Sequence, residues 1–170
     1  IGLETKEIVI ALAGNPNSGK TSIFNNLTGA RQHVGNWPGV TVEKKEGSLT
    51  FAGRKIKIVD LPGTYNLGAY TEDEIVARDF LLFEKPDVVI DVVDCTNLGR
   101  NLYLTTQLIE LGSKVVIALN MYDELPPKKM KIDCHLLSHL LGVPVIPTVA
   151  SQNKGMDDLL QTALATVDHI

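Results

Sequence analysis

Gly14-Asn15-Pro16-Asn17-Ser18-Gly19-Lys20-Thr21 is the stretch from which the rest of this sequence is best read. It fits G-x-x-x-x-G-K-[ST], in which glycines let backbone N–H groups curl around phosphate oxygens. The β-branched run Ile8–Ala13 precedes it and ends at a glycine, as a buried parallel strand does. A helical pattern follows from about Lys20 to Leu27, so the positive end of that helix faces the same loop. Lys20 is expected to reach the β- and γ-phosphates and the Thr21 hydroxyl to bind magnesium. Gly14, Asn15, Pro16, Asn17, Ser18, Gly19 and the following Ser22 are the other expected nucleotide contacts. With glycine at about 7% of residues, the four fixed positions coincide by chance in roughly 1% of such chains. The strand–loop–helix context lowers that further.

Outward from this loop, apolar runs alternate with amphipathic segments. Val42–Thr50 and Lys55–Val59 read as two strands joined by a turn at Ala52-Gly53-Arg54, with a Gly/Asn/Pro-rich stretch, Gly29–Val40, ahead of them. Thr71-Glu72-Asp73-Glu74 has the capping-box form and predicts a helix running to about Phe83. Asp87–Val93 and Lys114–Leu119 read as strands, with a one-faced helix over Leu98–Leu111 between them. Leu136, Leu137, Leu140 and Leu141 have helical spacing, Val143–Pro147 reads as a short strand, and a last helix is expected over Met156–Val167. Such alternation predicts an α/β fold: a mainly parallel six-stranded sheet with one antiparallel pair and helices on both faces.

The 170 residues suit a single domain, 1–170. The 44% apolar content excludes disorder, and a net charge of −4 argues against a generally basic nucleic-acid binder. Lys128, Lys129 and Lys131 are too short a run to change that and read as a solvated loop. Two cysteines make no disulfide framework. Ile1–Glu7 lacks the form of a signal peptide. The longest uncharged stretch, Cys134–Asn153, is interrupted by Gly142, Pro144 and Pro147, so no transmembrane helix is expected and the chain reads as soluble.

Three further signals stand at predicted strand ends. In Asp60-Leu61-Pro62-Gly63, Asp60 can hold magnesium through water and the Gly63 N–H can meet the γ-phosphate. Asn120-Met121-Tyr122-Asp123 resembles the guanine-reading N-K-x-D motif of GTPases. Asp123 would accept from guanine N1–H and the 2-amino group, while Met121 keeps an aliphatic cover without the lysine charge. Val149-Ala150-Ser151 occupies the place of the GTPase S-A-x loop, with Ala150 on the alanine whose N–H contacts the guanine oxygen and Val149 where a serine is usual. Their order along one rim is that of a P-loop NTPase of the small-GTPase type. His33–Glu43 has the length and place of a first switch, in which Gly39, Val40 and Thr41 approach the nucleotide and Thr41 caps magnesium and the γ-phosphate.

The string Gly35-Asn36-Trp37-Pro38-Gly39-Val40-Thr41-Val42-Glu43, with Gly14–Thr21, Asp60–Gly63 and Asn97–Leu104, resembles the GTPase domain of the ferrous iron transport protein B (FeoB) family over nearly the whole chain. The resemblance implies a GTP- and GDP-binding regulatory domain at the cytoplasmic face of the cell membrane. Its partners would be a helical spacer and a membrane domain of the same parent chain, and the parent could form a homo-oligomer. It also implies a potassium ligand at Asn17, against the plainer reading that Asn17 favours the loop's turn conformation. Competing readings are a soluble GTPase for ribosome assembly or tRNA modification, and a nucleotide switch with negligible turnover.

Lys20, Thr41 and Gly63 are the candidate catalytic groups. Thr64 and Tyr65 follow Asp60–Gly63 where many GTPases place a water-orienting glutamine, and no arginine finger is evident, so hydrolysis is expected to be slow. Cys134, His135 and His139 lack further ligands and read as structural. Trp37, the only tryptophan, is expected to report nucleotide state by fluorescence.

Overall fold

Residues 6–169 are described in a computed structural model, and the signal-peptide reading of Ile1–Glu7 falls largely outside them. The strands are β1 (Ile8–Gly14), β2 (Gln32–Asn36), β3 (Glu43–Phe51), β4 (Arg54–Asp60), β5 (Val88–Asp94), β6 (Val115–Asn120) and β7 (Val145–Pro147). The helices are α1 (Lys20–Thr28), α2 (Glu72–Asp79), α3 (Leu98–Glu110), α4 (Cys134–Leu141) and α5 (Met156–Asp168). One sheet runs in the order β2-β3-β4-β1-β5-β6-β7. Strands β4, β1, β5, β6 and β7 are parallel, and β3 lies antiparallel to both β4 and β2.

The sheet therefore has seven strands where six were expected. The added strand is β2, inside the Gly29–Val40 stretch whose glycines and polar residues gave no strand pattern. All five β2 residues are exposed, so pairing with β3 rather than burial defines it. Such an edge is specified by backbone hydrogen bonds, which leave little trace in side-chain periodicity.

Burial explains the central strands. Every residue of β6, and all of β5 except its last, is buried, because helices cover both faces. Ile8, Ile10 and Leu12 of β1 pack with Ile23 and Phe24 of α1 and Leu159, Leu160 and Ala163 of α5. Ala11 and Ala13 face the other layer, where Ala77, Phe80, Leu104 and Leu108 lie. Consecutive β1 residues thus serve opposite cores, as a period of two requires.

At α2, the Thr71 hydroxyl accepts the Glu74 N–H at 3.1 Å, while Glu74 reaches back to the Tyr70 N–H at 3.3 Å. The helical run extends past Phe83, but Phe80–Glu84 widens into a π-helical turn that ends at left-handed Lys85. Asp157 and Asp158 occupy the first turn of α5, where acidic side chains favour the positive end of the helix. No helix among the described residues is long and apolar enough to cross a membrane.

The chain leaves β1 for β4 on one side and later returns to β5 on the other. The carboxyl end of β1 is therefore a topological switch point, where open α/β sheets bind ligands.

Candidate functional site: a nucleotide cradle at the carboxyl ends of the strands

At that switch point β1 turns into Gly14–Gly19, and α1 begins at Lys20. A Cβ on Gly14 would lie 2.8 Å from the Val92 carbonyl oxygen and 2.9 Å from Ser18 Oγ. Gly19 has φ +94°, and a Cβ there would collide with the Asn120 side chain. Asn17 is left-handed at φ 67° and exposed, which satisfies the turn reading of this residue. The α1 N-terminus has no side-chain cap and no acid in its first turn. Its free N–H groups and positive end suit an anion. Among the described residues, the buried Asn15 amide and Ser18 hydroxyl have no hydrogen-bond partner, so the cradle holds more polar capacity than it uses itself.

Lys20 Nζ is ion-paired and hydrogen-bonded to Asp60 Oδ1 at the end of β4. Burial pushes the Asp60 carboxyl above its ordinary value, against the pull of the Lys20 ammonium. Thr21 and Ser22 are exposed on the first turn of α1. Gly63 rests against Pro16, with room for a Cβ only 3.3 Å from the Pro16 nitrogen, and the Thr64 N–H donates to the Gly14 carbonyl at 3.1 Å. The segment after Asp60 is thus laid directly on the phosphate loop. Thr64 is itself buried, and Tyr65 lies under the Arg100 guanidinium, 5.0 Å from its ring centroid. The sequence did not suggest this stacking, because Arg100 belongs to α3, far along the chain.

Asn120, at the end of β6, ties the two halves of the site together. Its Nδ2 donates to the Ser18 carbonyl at 3.0 Å. Its Oδ1 accepts from Thr148 Oγ1 at 3.1 Å and from the Ala150 N–H at 3.0 Å. The Ala150 N–H is thus held by Asn120, which differs from the expectation that it points to a base oxygen. Val149 is occupied as well, exchanging backbone hydrogen bonds with Lys154. Met121 is left-handed at φ 61° and starts a tight turn that carries exposed Asp123, 3.5 Å from Gln152 Nε2. Ser151 is exposed beside it.

The first-switch candidates lie on the β2–β3 hairpin. Trp37-Pro38-Gly39-Val40 forms a turn with Gly39 at φ 76°, closed by the Val40 N–H on the Trp37 carbonyl at 3.3 Å. Trp37 is buried, edge-on to Phe80 at 5.5 Å between ring centroids, with Lys44 over its face. Thr41 is exposed next to that turn and, among the described residues, makes no side-chain hydrogen bond to the phosphate loop. The structure therefore brings Gly14–Ser22, Asp60, Gly63, Asn120 and Val149–Ser151 to one rim, and leaves Gly39–Thr41 on the neighbouring hairpin.

Cys95 is buried, Cys134 half-buried, and His135 and His139 are exposed. No group of three His, Cys, Asp or Glu side chains that could hold a metal occurs among the described residues. The oxygen donors Thr21 and Asp60 are what the cradle offers a hard cation.

The family model of ferrous iron transport protein B, N-terminal part, matches residues 8–163. The chain belongs to this family. It is 52% identical over 159 residues to a Porphyromonas gingivalis fusion of Fe(2+) transport protein A with Fe(2+) transporter FeoB, covering 93% of this chain and 19% of that protein. The chain thus spans about a fifth of the length of such relatives. Among solved structures, an S. thermophilus NFeoB mutant bound to GDP superposes with TM-score 0.90 at 53% identity, covering 94% of this chain and 61% of that one. The FeoB G-domain of Methanococcus jannaschii superposes with TM-score 0.86 at 45% identity, covering 96% of this chain and 99% of that one. The fold is therefore that of FeoB G-domains.

Proposed function

We propose that this chain binds GTP and GDP and hydrolyses GTP slowly, as the regulatory domain of a ferrous iron membrane transporter. The observation that carries the reading is Asn120, whose one amide holds the phosphate loop at Ser18 and the base loop at Thr148 and Ala150. A phosphate cradle and a base motif joined in this way take a whole nucleotide, and Asp123 selects guanine through its N1–H and 2-amino donors. The GDP-bound FeoB relative supports the same ligand class.

Each residue then has a separate task. Backbone N–H groups of Gly14–Thr21 and the α1 N-terminus take the phosphate oxygens. Lys20 leaves Asp60 for the β- and γ-phosphates. Thr21, Asp60 and Thr41 are the groups that would hold magnesium, which neutralises charge on the phosphates. Thr41 reaches the site as the β2–β3 hairpin moves, and Gly63 offers its N–H to the γ-phosphate. Asn17, exposed and left-handed, is the residue whose amide would ligate potassium.

Slow turnover follows from Thr64, which is short, buried and unable to replace a glutamine, and from Tyr65, which is stacked under Arg100. An arginine finger is worth roughly 10³–10⁵ in rate, or about 4–7 kcal/mol of barrier. In the parent, the domain would act at the cytoplasmic face of the membrane, through a helical spacer, on a domain that carries Fe(II).

Phosphate release from GTP with magnesium, in potassium and in sodium buffers, tests the reading. We expect turnover that GDP inhibits and ADP does not, faster in potassium and far below GAP-stimulated rates. Absence of release together with absence of GDP binding would refute it; binding without release would leave a switch alone.

A further inference from the structure

The turn that carries Asp123 is closed by the Glu124 N–H, which donates to the Met121 carbonyl at 2.9 Å. That same carbonyl accepts a second hydrogen bond, from Cys95 Sγ at 3.2 Å. Cys95 follows β5 directly, is fully buried and belongs to none of the nucleotide motifs. Burial pushes its thiol up to about 11, so at neutral pH it keeps the proton it donates.

Cys95 is itself held from two sides. Asp94, just before it, pairs in register with Asn120 across β5 and β6. The Asp94 N–H donates to Asn101 Oδ1 at 3.1 Å, and Asn101 Nδ2 donates to the Asn97 carbonyl at 2.9 Å. The Asp94 carboxylate accepts from Thr96 N–H and Oγ1 at 2.9 and 2.6 Å and from Asn97 Nδ2 at 3.1 Å. Asn101 is buried on α3, so a helix fixes the end of β5, and the end of β5 fixes Met121. Met121 needs such support because its left-handed backbone is costly for a residue with a Cβ.

We propose that Cys95, braced by Asn101, is a positioning residue for guanine recognition: its thiol pins the Met121 carbonyl and thereby aims Asp123 at the 2-amino group of the base. The inference rests on the reading of Asn120–Asp123 as the base motif.

Inosine diphosphate lacks the 2-amino group, so the ratio of GDP to IDP affinity reports how well Asp123 is aimed. A merely structural defect weakens both nucleotides together. We expect Cys95→Val to lower that ratio about fivefold, the value of one hydrogen bond of about 1 kcal/mol, and Cys95→Ser, which keeps a donor, to retain it. Asn101→Ser, which frees the Asp94 N–H without altering the packed thiol, is expected to lower the ratio in the same direction should the valine variant fold poorly. Equal weakening of GDP and IDP, or an unchanged ratio in the folded variants of an otherwise selective protein, would overturn the proposal. The base motif is tested separately by Asp123→Asn, expected to exchange GDP preference for xanthosine diphosphate. No preference for GDP over IDP in the parent, with no exchange in that variant, overturns the base reading and this inference with it.

Discussion

Lys20, the first residue of α1, is ion-paired through Nζ to Asp60, the last residue of β4, with side-chain exposures of only 11% and 8%. Removing one partner leaves the other buried without its counter-ion, which costs roughly 3–5 kcal/mol for fully buried pairs. In Lys20→Met, Asp60 loses the charge that restrains its already raised carboxyl. The unfolded carboxyl ionises near 4, and the folded one only at higher pH. Stability is therefore full below the unfolded value and is lost as pH rises through the folded value. Thermal denaturation should show Lys20→Met more destabilised at pH 8 than at pH 5, with Lys20→Met/Asp60→Asn largely recovered. A pH-independent loss would be inconsistent with this account.

Asp91 poses a related question in the core. It lies on β5, 1% exposed, and accepts a hydrogen bond from Thr105 Oγ1 on α3. Burial raises its carboxyl to about 7, against the opposing pull of Thr105. The folded carboxyl keeps its proton over a range where the unfolded one has lost it, so stability should fall between about pH 4 and pH 7. Replacement by the neutral isostere, Asp91→Asn, should remove this slope. Chemical denaturation is expected to find the variant more stable than the parent by a few kcal/mol at pH 8, and the difference should shrink or reverse near pH 4.

How much the sequence conveyed depended on whether side chains or backbone defined each feature. The Ile8–Gly19 strand and loop, Asp60 and Asn120 were readable because a glycine cradle and strand-end polar residues need those side chains. Strand β2 was not, since its exposed residues are set by pairing with β3. The hydrogen bond from the Ala150 N–H to Asn120 Oδ1 was not legible either, because it joins different strand-end loops. The stacking of Arg100 on Tyr65 and the Cys95 contact with Met121 join residues far apart in the chain, and local pattern carries no register for them.

Trp37 joins the β2–β3 hairpin to the turn that follows α2, since it packs edge-on against Phe80. Movement of the hairpin towards the γ-phosphate must alter that contact, so Trp37 emission should differ between GDP and a GTP analogue. In Phe80→Leu the difference should shrink, because one wall of the indole site is gone. Stopped-flow fluorescence would check both; identical spectra in the two nucleotides would mean that the hairpin does not respond.

Asn120 offers the sharpest separation of binding from folding. Asn120→Asp keeps the acceptor for Thr148 and Ala150 but loses the donor to the Ser18 carbonyl and sets a charge beside it. Asn120→Ala removes all three hydrogen bonds and leaves buried Thr148 without its partner. At about 0.5–1.5 kcal/mol each, the alanine variant should lose a few kcal/mol of stability. Its melting temperature should therefore fall by several degrees. The aspartate variant should retain Val149–Ser151 in place while its GDP affinity drops at least about tenfold, the effect of some 1.4 kcal/mol. Calorimetric titration of both variants beside their melting curves makes the distinction. If the two lose affinity only in proportion to stability, Asn120 is a structural strut. A loss of GDP affinity in Asn120→Asp beyond what its loss of stability accounts for would assign the side chain to the nucleotide site itself.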